Sequence, residues 1–549
     1  MKTLLRYLWM PVVALVAAPC FASHPASALP EVAKPVAVFS VASTDRLMDD
    51  LAYFTQTSGR NDVGGIIRMV GAPFLEYIDR TKPAGVIISV AGDEPKGIGF
   101  LPVPDLDGLL KFIKDKFGFP VDHLENGMKK LELGEGAYFK QQGDWLFFSD
   151  SPKHLVNLPE DPVKLLDGLN EEYGISFRVF VRNVPPQFRK MLIDRINNSI
   201  QSDLVLKPGD DPNIEGEFLQ AFQTHFQNSV TSAVSDSEKV TIGWAVDASG
   251  NHTYTDFEVT AVEGSPLSKQ LDWLTDTRSS LTGFFMSDAA ATVRGSARIS
   301  SQTAGIFGAF STFIRKKAIK GIEEDPNAPE ALTEIVNAVL NVVDKTISEG
   351  KTDVGTAVVL APNSFKFVGG VRIADGDTLA GAFEKLVELV KGQPGVPDVD
   401  IRVEKYEGID LHTFSVPLPE EEKDARKVLG ENLDVVVGIG PENLFFGFGA
   451  GSETLLKQVI EDSLENGEKP VPPAHFELAI RPLVRFLTSI DPDNESFSAW
   501  ATALAETRGG DGISVTVTTI ENGLRCRFRV EEGVLEMLGK ASRSADGSF

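Results

Sequence analysis

The chain has 549 residues, 42% hydrophobic and 24% charged, an ordinary globular balance. At roughly 150 residues per domain it holds two to four domains. Acidic residues outnumber basic ones by 78 to 53, so the net charge of −25 opposes nucleic acid and anionic lipid surfaces as partners, and two cysteines exclude a disulfide framework.

The first residues carry the pattern of a secretory signal. Lys2 and Arg6 form a positive n-region, Leu8 to Ala18 is a short apolar run, and small-residue exits follow at Cys20-Phe21-Ala22 and Ala26-Ser27-Ala28. The pattern predicts a signal peptide over residues 1–28, cleaved after Ala22 or Ala28, and a periplasmic or secreted protein. The apolar run is short for a span and contains Pro11, which argues against a retained anchor; Pro19, just before Cys20, argues against lipidation. Later apolar stretches such as 433–449 are broken by Pro441, Glu442 and Asn443, so no membrane span is expected after cleavage. Loss of Lys2 and Arg6 takes the basic count from 53 to 51 against 78 acids, a net charge of −27, and leaves Cys526 as the only cysteine.

A first domain is predicted over residues 32–280. It opens with a strand pattern, VAVFSVAS (36–43), followed by helical stretches at TDRLMDDLAYFTQ (44–56) and 65–80. A β-hairpin (84–109) delivers the chain to Asp105 and Asp107, which stand before a helical run (108–118) where a carboxylate accepts from free amides of the first turn. A second hairpin, GAYFKQQGDWLFFS (136–149), turns through Ser149, Asp150 and Ser151 into the helix-like SPKHLVNL. The strand ISFRVFVR (175–182), a helix, a polar insertion loop (202–217), a final hairpin (240–262) and a short helix, SPLSKQLDWL, complete it.

The second domain, 281–549, repeats this order. The strand pattern 289–300 leads to helices at 301–322 and 329–350, the latter with Leu332, Ile335, Val336, Val339, Leu340, Val343 and Ile347 on one apolar face. VGTAVVLAPNSFKFVGGVRIADGDTL (354–379) aligns without a gap on AGVIISVAGDEPKGIGFLPVPDLDGL (84–109), with seven of 26 positions identical, among them Gly85/Gly355, Gly99/Gly369, Asp105/Asp375 and Asp107/Asp377. A polar loop is expected over 418–432. DVVVGIGPENLFFG (434–447) then matches the second hairpin, placing Leu146-Phe147-Phe148 on Leu444-Phe445-Phe446. Here the turn into the next helix uses Gly447, Gly449 and Gly451 where the first copy uses Ser149, Asp150 and Ser151. These glycines resemble a phosphate cradle, but no Gly-Lys-Ser/Thr follows and Ser452 occupies the place of a third dinucleotide-binding glycine, so they read as turn formers. The strand 475–481, a helix, the hairpin 513–530 and a last helix close the copy. Leu524, Cys526, Phe528 and Val530 alternate with Arg525, Arg527 and Arg529, which predicts an apolar buried face holding an inert Cys526 and a solvated arginine ladder able to grip an acidic or phosphorylated ligand.

The six remaining histidines, His123, His154, His225, His252, His412 and His475, show no metal-ligand spacing and none recurs at the matching place of the other copy. Gly-x-Ser-x-Gly is absent. Asp105/Asp107 and Asp375/Asp377 lack the ligands of a calcium loop, and Asp491-x-Asp493-x-Glu495 lacks its central glycine and closing glutamate. No catalytic, cofactor-binding or metal residue is therefore assigned, and no cofactor is expected.

The segments AVFSVASTDRLMDDL, GIGFLPVPDLDGLLKFI and ENLFFGFGAGSETLLKQVI resemble a broad group of exported bacterial proteins of planctomycete type, a group without an assigned activity. The fold expected is α+β: two homologous tandem domains of antiparallel β-hairpins packed with α-helices. The function expected is a non-enzymatic binding or scaffold module of the cell envelope with an envelope or extracellular partner. The alternatives are carriage of an apolar, lipid-like ligand on the aromatic helix 302–322, and hydrolysis at an unfamiliar site.

Overall fold

The computed structural model describes residues 34–60, 64–65, 72–91, 94–131, 137–203, 206, 211–326, 328–391 and 402–546. The expected signal peptide and residues 66–71 of the helical stretch at 65–80 lie outside the described residues, and 72–75 are helical. The fold is α+β, and the chain divides into two compact units. The first runs to Asn198 and includes Ala233–Val262; the second comprises Ser199–Ser232 and the chain from Glu263 onward. The division at Val262 precedes the expected boundary near 280, and the second unit also takes in a segment embedded between two parts of the first.

The first unit is built on strands β1 (Pro35–Val41), β2 (Ala84–Ala91), β3 (Glu94–Leu101), β4 (Val121–His123), β5 (Met128–Leu131), β6 (Ala137–Gln142), β7 (Trp145–Ser149), β8 (Ile175–Phe180), β9 (Ser237–Asp247) and β10 (His252–Ala261). They hydrogen-bond in the order β10-β9-β8-β1-β2-β3-β7-β6-β5-β4, every neighbour antiparallel. Helix α1 (Thr44–Thr57) follows β1 and α2 (Leu106–Phe117) follows β3; α3 (Pro186–Asp203) and α4 (Glu217–Asp236) lie in the chain between β8 and β9. The segment 151–158, expected as a helix, holds only a 3₁₀ turn at Pro152–Leu155; Pro152 stands at its first position, and Pro159 disfavours helical backbone at Leu158 and bounds any longer run. One face of the sheet carries the larger core, with Val38, Phe100, Phe147, Leu155, Leu166 and Tyr173 at its centre, and the other face a smaller cluster around Ala37 and Val179. Each such side chain contributes about 1.5–3 kcal/mol by leaving water.

The second unit is built on β11 (Ala291–Arg298), β12 (Lys351–Ala361), β13 (Ser364–Arg372), β14 (Arg402–Tyr406), β15 (Ile409–Pro417), β16 (Asn432–Ile439), β17 (Asn443–Phe448), β18 (Ala474–Ala479), β19 (Gly512–Ile520) and β20 (Gly523–Glu531). Their order is β20-β19-β18-β11-β12-β13-β17-β16-β15-β14, again antiparallel throughout. Strand by strand this is the order of the first unit. The registers agree as well: Val86 faces Gly99 and Thr356 faces Gly369, while Phe139 faces Phe148 and Val437 faces Phe446. Helices α5 (Ser301–Glu324), α6 (Ala331–Ser348), α7 (Gly376–Val390), α8 (Ser452–Asn466), α9 (Ile480–Ile490), α10 (Glu495–Ala505) and α11 (Glu532–Asp546) accompany it.

Several local expectations are revised. The loop expected over 418–432 contains a short helix, Lys423–Leu429. The stretch 202–217, expected as a free loop, is tied in its described part to α5: Asp211 pairs with Lys320 at 2.6 Å, Glu215 with Lys317 at 2.9 Å, and Glu217 with Lys316. Beyond them Phe218 stacks on Phe313 with 4.7 Å between centroids, so part of the aromatic face of α5 packs against α4, while Phe307 and Phe310 remain exposed. On α6 the buried set is Ile335, Leu340 and Val342, and Val343 is 40% exposed, a rotation of the expected face toward Val342.

Candidate functional site

A short helix, Leu169–Glu172, leads into β8. Arg46 of α1 fastens its end, donating to the carbonyls of Glu171 at 2.8 Å and Glu172 at 3.1 Å, where a helix C-terminus attracts a cation. The next residue, Tyr173, is fully buried and lays its ring on β9 at Gly243, where a Cβ would enter the ring. Glycine is needed there for space. The phenol is thereby carried across the sheet to β10, where its hydroxyl lies 3.1 Å from both Asp256 Oδ2 and Glu258 Oε1.

Asp256 and Glu258 are two residues apart on one strand, so their side chains share a face. That face is the core face, and the two are 0% and 6% exposed. The phenol has a single hydrogen to donate, so the two carboxylates share this one donor. One oxygen of exposed Glu172 joins them: the ligand atoms of Glu172, Asp256 and Glu258 all lie within 4.8 Å of one another. Such a trio has the donor type and spacing for a hard divalent cation, or for acid–base work by paired carboxyls. All three acids and Tyr173 also make further interactions, so the cluster belongs to a larger network. Thr241, opposite Glu258, accepts from Arg178 Nε at 2.8 Å, and Arg178 in turn pairs with Asp167 at 2.7 Å. Burial acts to raise the Asp167 carboxyl, but Lys239 and Arg178 together hold it below its ordinary value.

In the second unit the same rows carry other chemistry. Gly243 faces Asp256 where Thr516 faces Arg527, and Thr241 faces Glu258 where Ser514 faces Arg529. The arginine ladder expected to be solvated is half-buried at Arg525, Arg527 and Arg529, and Arg529 pairs with Glu531 at 3.0 Å. The opposite face, expected to be buried, leaves Phe528 44% exposed and Cys526 partly accessible, because that side of β20 is only partly covered.

The remaining candidates take structural places. Asp105 and Asp375 cap α2 and α7, accepting from Gly108 N at 2.9 Å and Thr378 N at 3.0 Å, and Asp107 pairs with Lys129. Their carboxylates are spent locally. Asp491 begins the turn that Asn494 ends, and Asn494 caps α10. At the glycine turn, Gly449 (φ +96°) passes too close to the Phe365 carbonyl for any side chain, and Gly451 (φ +79°) occupies the cap position of α8. His412 is buried against Phe383, and burial lowers its pKa. The Glu172–Asp256–Glu258 group escapes sequence reasoning because 84 positions separate Glu172 from Asp256; the visible signal is only Asp-Phe-Glu (256–258) inside a strand.

Among the described residues no helix is long and apolar enough to cross a membrane. Compared with protein-family models, curated proteins and solved structures, the chain matches none.

Proposed function

We propose that the chain is an exported protein made by tandem duplication and that its first unit is a hydrolase with an unfamiliar carboxylate site. The observation that carries the catalytic reading is the convergence of Glu172, Asp256 and Glu258 around the Tyr173 hydroxyl. Glu172, the exposed member, faces the substrate. In this reading one carboxyl of the cluster gives a proton to the leaving group and a second takes one from the attacking water, the division of labour that paired carboxyls allow. Duplication is supported by the shared strand order, the shared registers and the recurring Gly99/Phe148 and Gly369/Phe446 pairs. Export to the periplasm or exterior rests on the pattern over residues 1–28, and kinship with planctomycete-type exported proteins on the segments that resemble them.

A second reading, a non-enzymatic binding or scaffold module of the envelope, draws on a different observation. Arg527 and Arg529 stand in the second unit where the first has Asp256 and Glu258, so the two copies share a frame without sharing a reaction. Turnover of ester, phosphoester, glycoside and peptide substrates separates the two. The hydrolase reading expects one class to be cleaved, with Glu172→Gln reducing kcat about 100-fold or more and leaving the melting temperature unchanged. A folded wild-type protein that turns over no class overturns it and leaves the binding reading standing.

A further inference from the structure

Across four strands of the second unit, one row of residues runs Arg294 on β11, His475 on β18, Thr516 on β19 and Arg527 on β20, each directly opposite the next. The pairing places all four on one face of the sheet. The corresponding row of the first unit is Ser40, Ser176, Gly243 and Asp256. The frame is the same, and cationic and donor groups have replaced small and acidic ones.

Arg294 is the unusual member. Its guanidinium stacks on the Phe285 ring, 4.1 Å from the centroid, and is partly withdrawn from water. Its buried Nε has no hydrogen-bond partner, and among the described residues no carboxylate lies within ion-pair distance of it. Burial lowers its pKa, and Glu477 opposes that only from farther away. In a chain with 78 acids to 53 bases, a half-buried arginine would ordinarily be neutralised by its own fold. Beside it His475 is held in place, with Nδ1 2.9 Å from Thr516 Oγ1 and Nε2 3.5 Å from Glu477 Oε2.

We infer that Arg294 is the cation of an oxyanion-binding site in the second unit, taking the carboxylate or phosphate group of a small ligand beside the His475–Thr516 pair. The guanidinium offers a planar fork of donors matched to either oxyanion, and the Phe285 ring beneath holds that fork in one orientation. Exposed Glu477 is the nearest opposing charge and limits affinity. Arg294, His475 and Thr516 take no part in the hydrolase reading, and the inference does not rest on it.

The test is titration of the full chain with inorganic phosphate and, separately, acetate, followed by calorimetry and by the imidazole resonances of His475. A phosphate-only response assigns phosphate groups, an acetate-only response assigns carboxylates, and a response to both assigns a general oxyanion site. In each case Arg294→Met, which keeps the stem on Phe285, weakens binding about tenfold or more, and Glu477→Gln strengthens it a few-fold. Wild-type protein whose His475 resonances respond to neither anion, or Arg294→Met binding like wild type, overturns the inference.

Discussion

Gly99 on β3 lies beneath the ring of Phe148 on β7, and Gly369 on β13 lies beneath the ring of Phe446 on β17. In both places a Cβ would enter the ring, so glycine is required for space, with no help from backbone conformation. Gly99→Ala and Gly369→Ala are each expected to destabilise the protein by about 1–3 kcal/mol, the usual cost of overpacking. Shrinking the ring should rescue them: Gly99→Ala with Phe148→Leu should be more stable than the sum of the single losses, read by denaturant unfolding. Equal, additive losses would remove the contact as the cause. Both glycines and both rings align in the sequence as identities, but their meeting across strands does not, since it depends on β3 and β7 becoming neighbours. The same limit hides Tyr173 over Gly243, where nothing within either segment names the other.

At the scale of elements, the helix starts were the most legible feature. Asp105 and Asp375 stand at matching positions before apolar-periodic runs, and each caps its helix. The cap holds because the first amides of a helix have no internal partner. Asp105→Ala should cost about 1 kcal/mol, with the urea m-value unchanged. Asp375 adds a pH signature. The Thr378 amide and Lys345 ammonium hold its carboxyl down to about 2. A depressed folded pKa gives stability that is complete above the unfolded value of 3.8 and lost as pH falls through about 2. A carboxyl titration by NMR should therefore place Asp375 near 2, and Lys345→Met should move it upward. A midpoint near 3.8 would show that the cap is not formed. Other elements left little trace in the sequence. The hairpins β4–β5 and β14–β15 leave no such trace because they are short or exposed: β4 is three residues long and β14 is largely solvent-facing, so neither shows apolar alternation.

For the whole molecule, the α+β class and the recurring order of hairpins were readable because period-two and period-3.6 patterns are local. The assignment of Ser199–Ser232 to the second unit was not, because it rests on contacts such as Asp211 with Lys320 and Phe218 with Phe313, 109 and 95 positions apart. Charge acts at this scale too, and two effects of salt compete. Exposed ion pairs such as Lys111–Asp115 and Lys385–Glu334 weaken as ions screen them, but each contributes little. Against them stands the self-repulsion of a chain with a net charge of −25. That repulsion acts between many charges over long distances, and a Debye length of about 8 Å at physiological ionic strength removes most of it. Repulsion outweighs the exposed pairs, so raising sodium chloride from a few millimolar to about 0.15 M should raise the melting temperature at pH 7. The same addition near the isoelectric pH of about 4.8, where net charge vanishes, should leave only the loss of ion pairs and lower it slightly. A melting temperature that falls with salt at both pH values would mean that local pairing, rather than net charge, governs the stability of the folded chain.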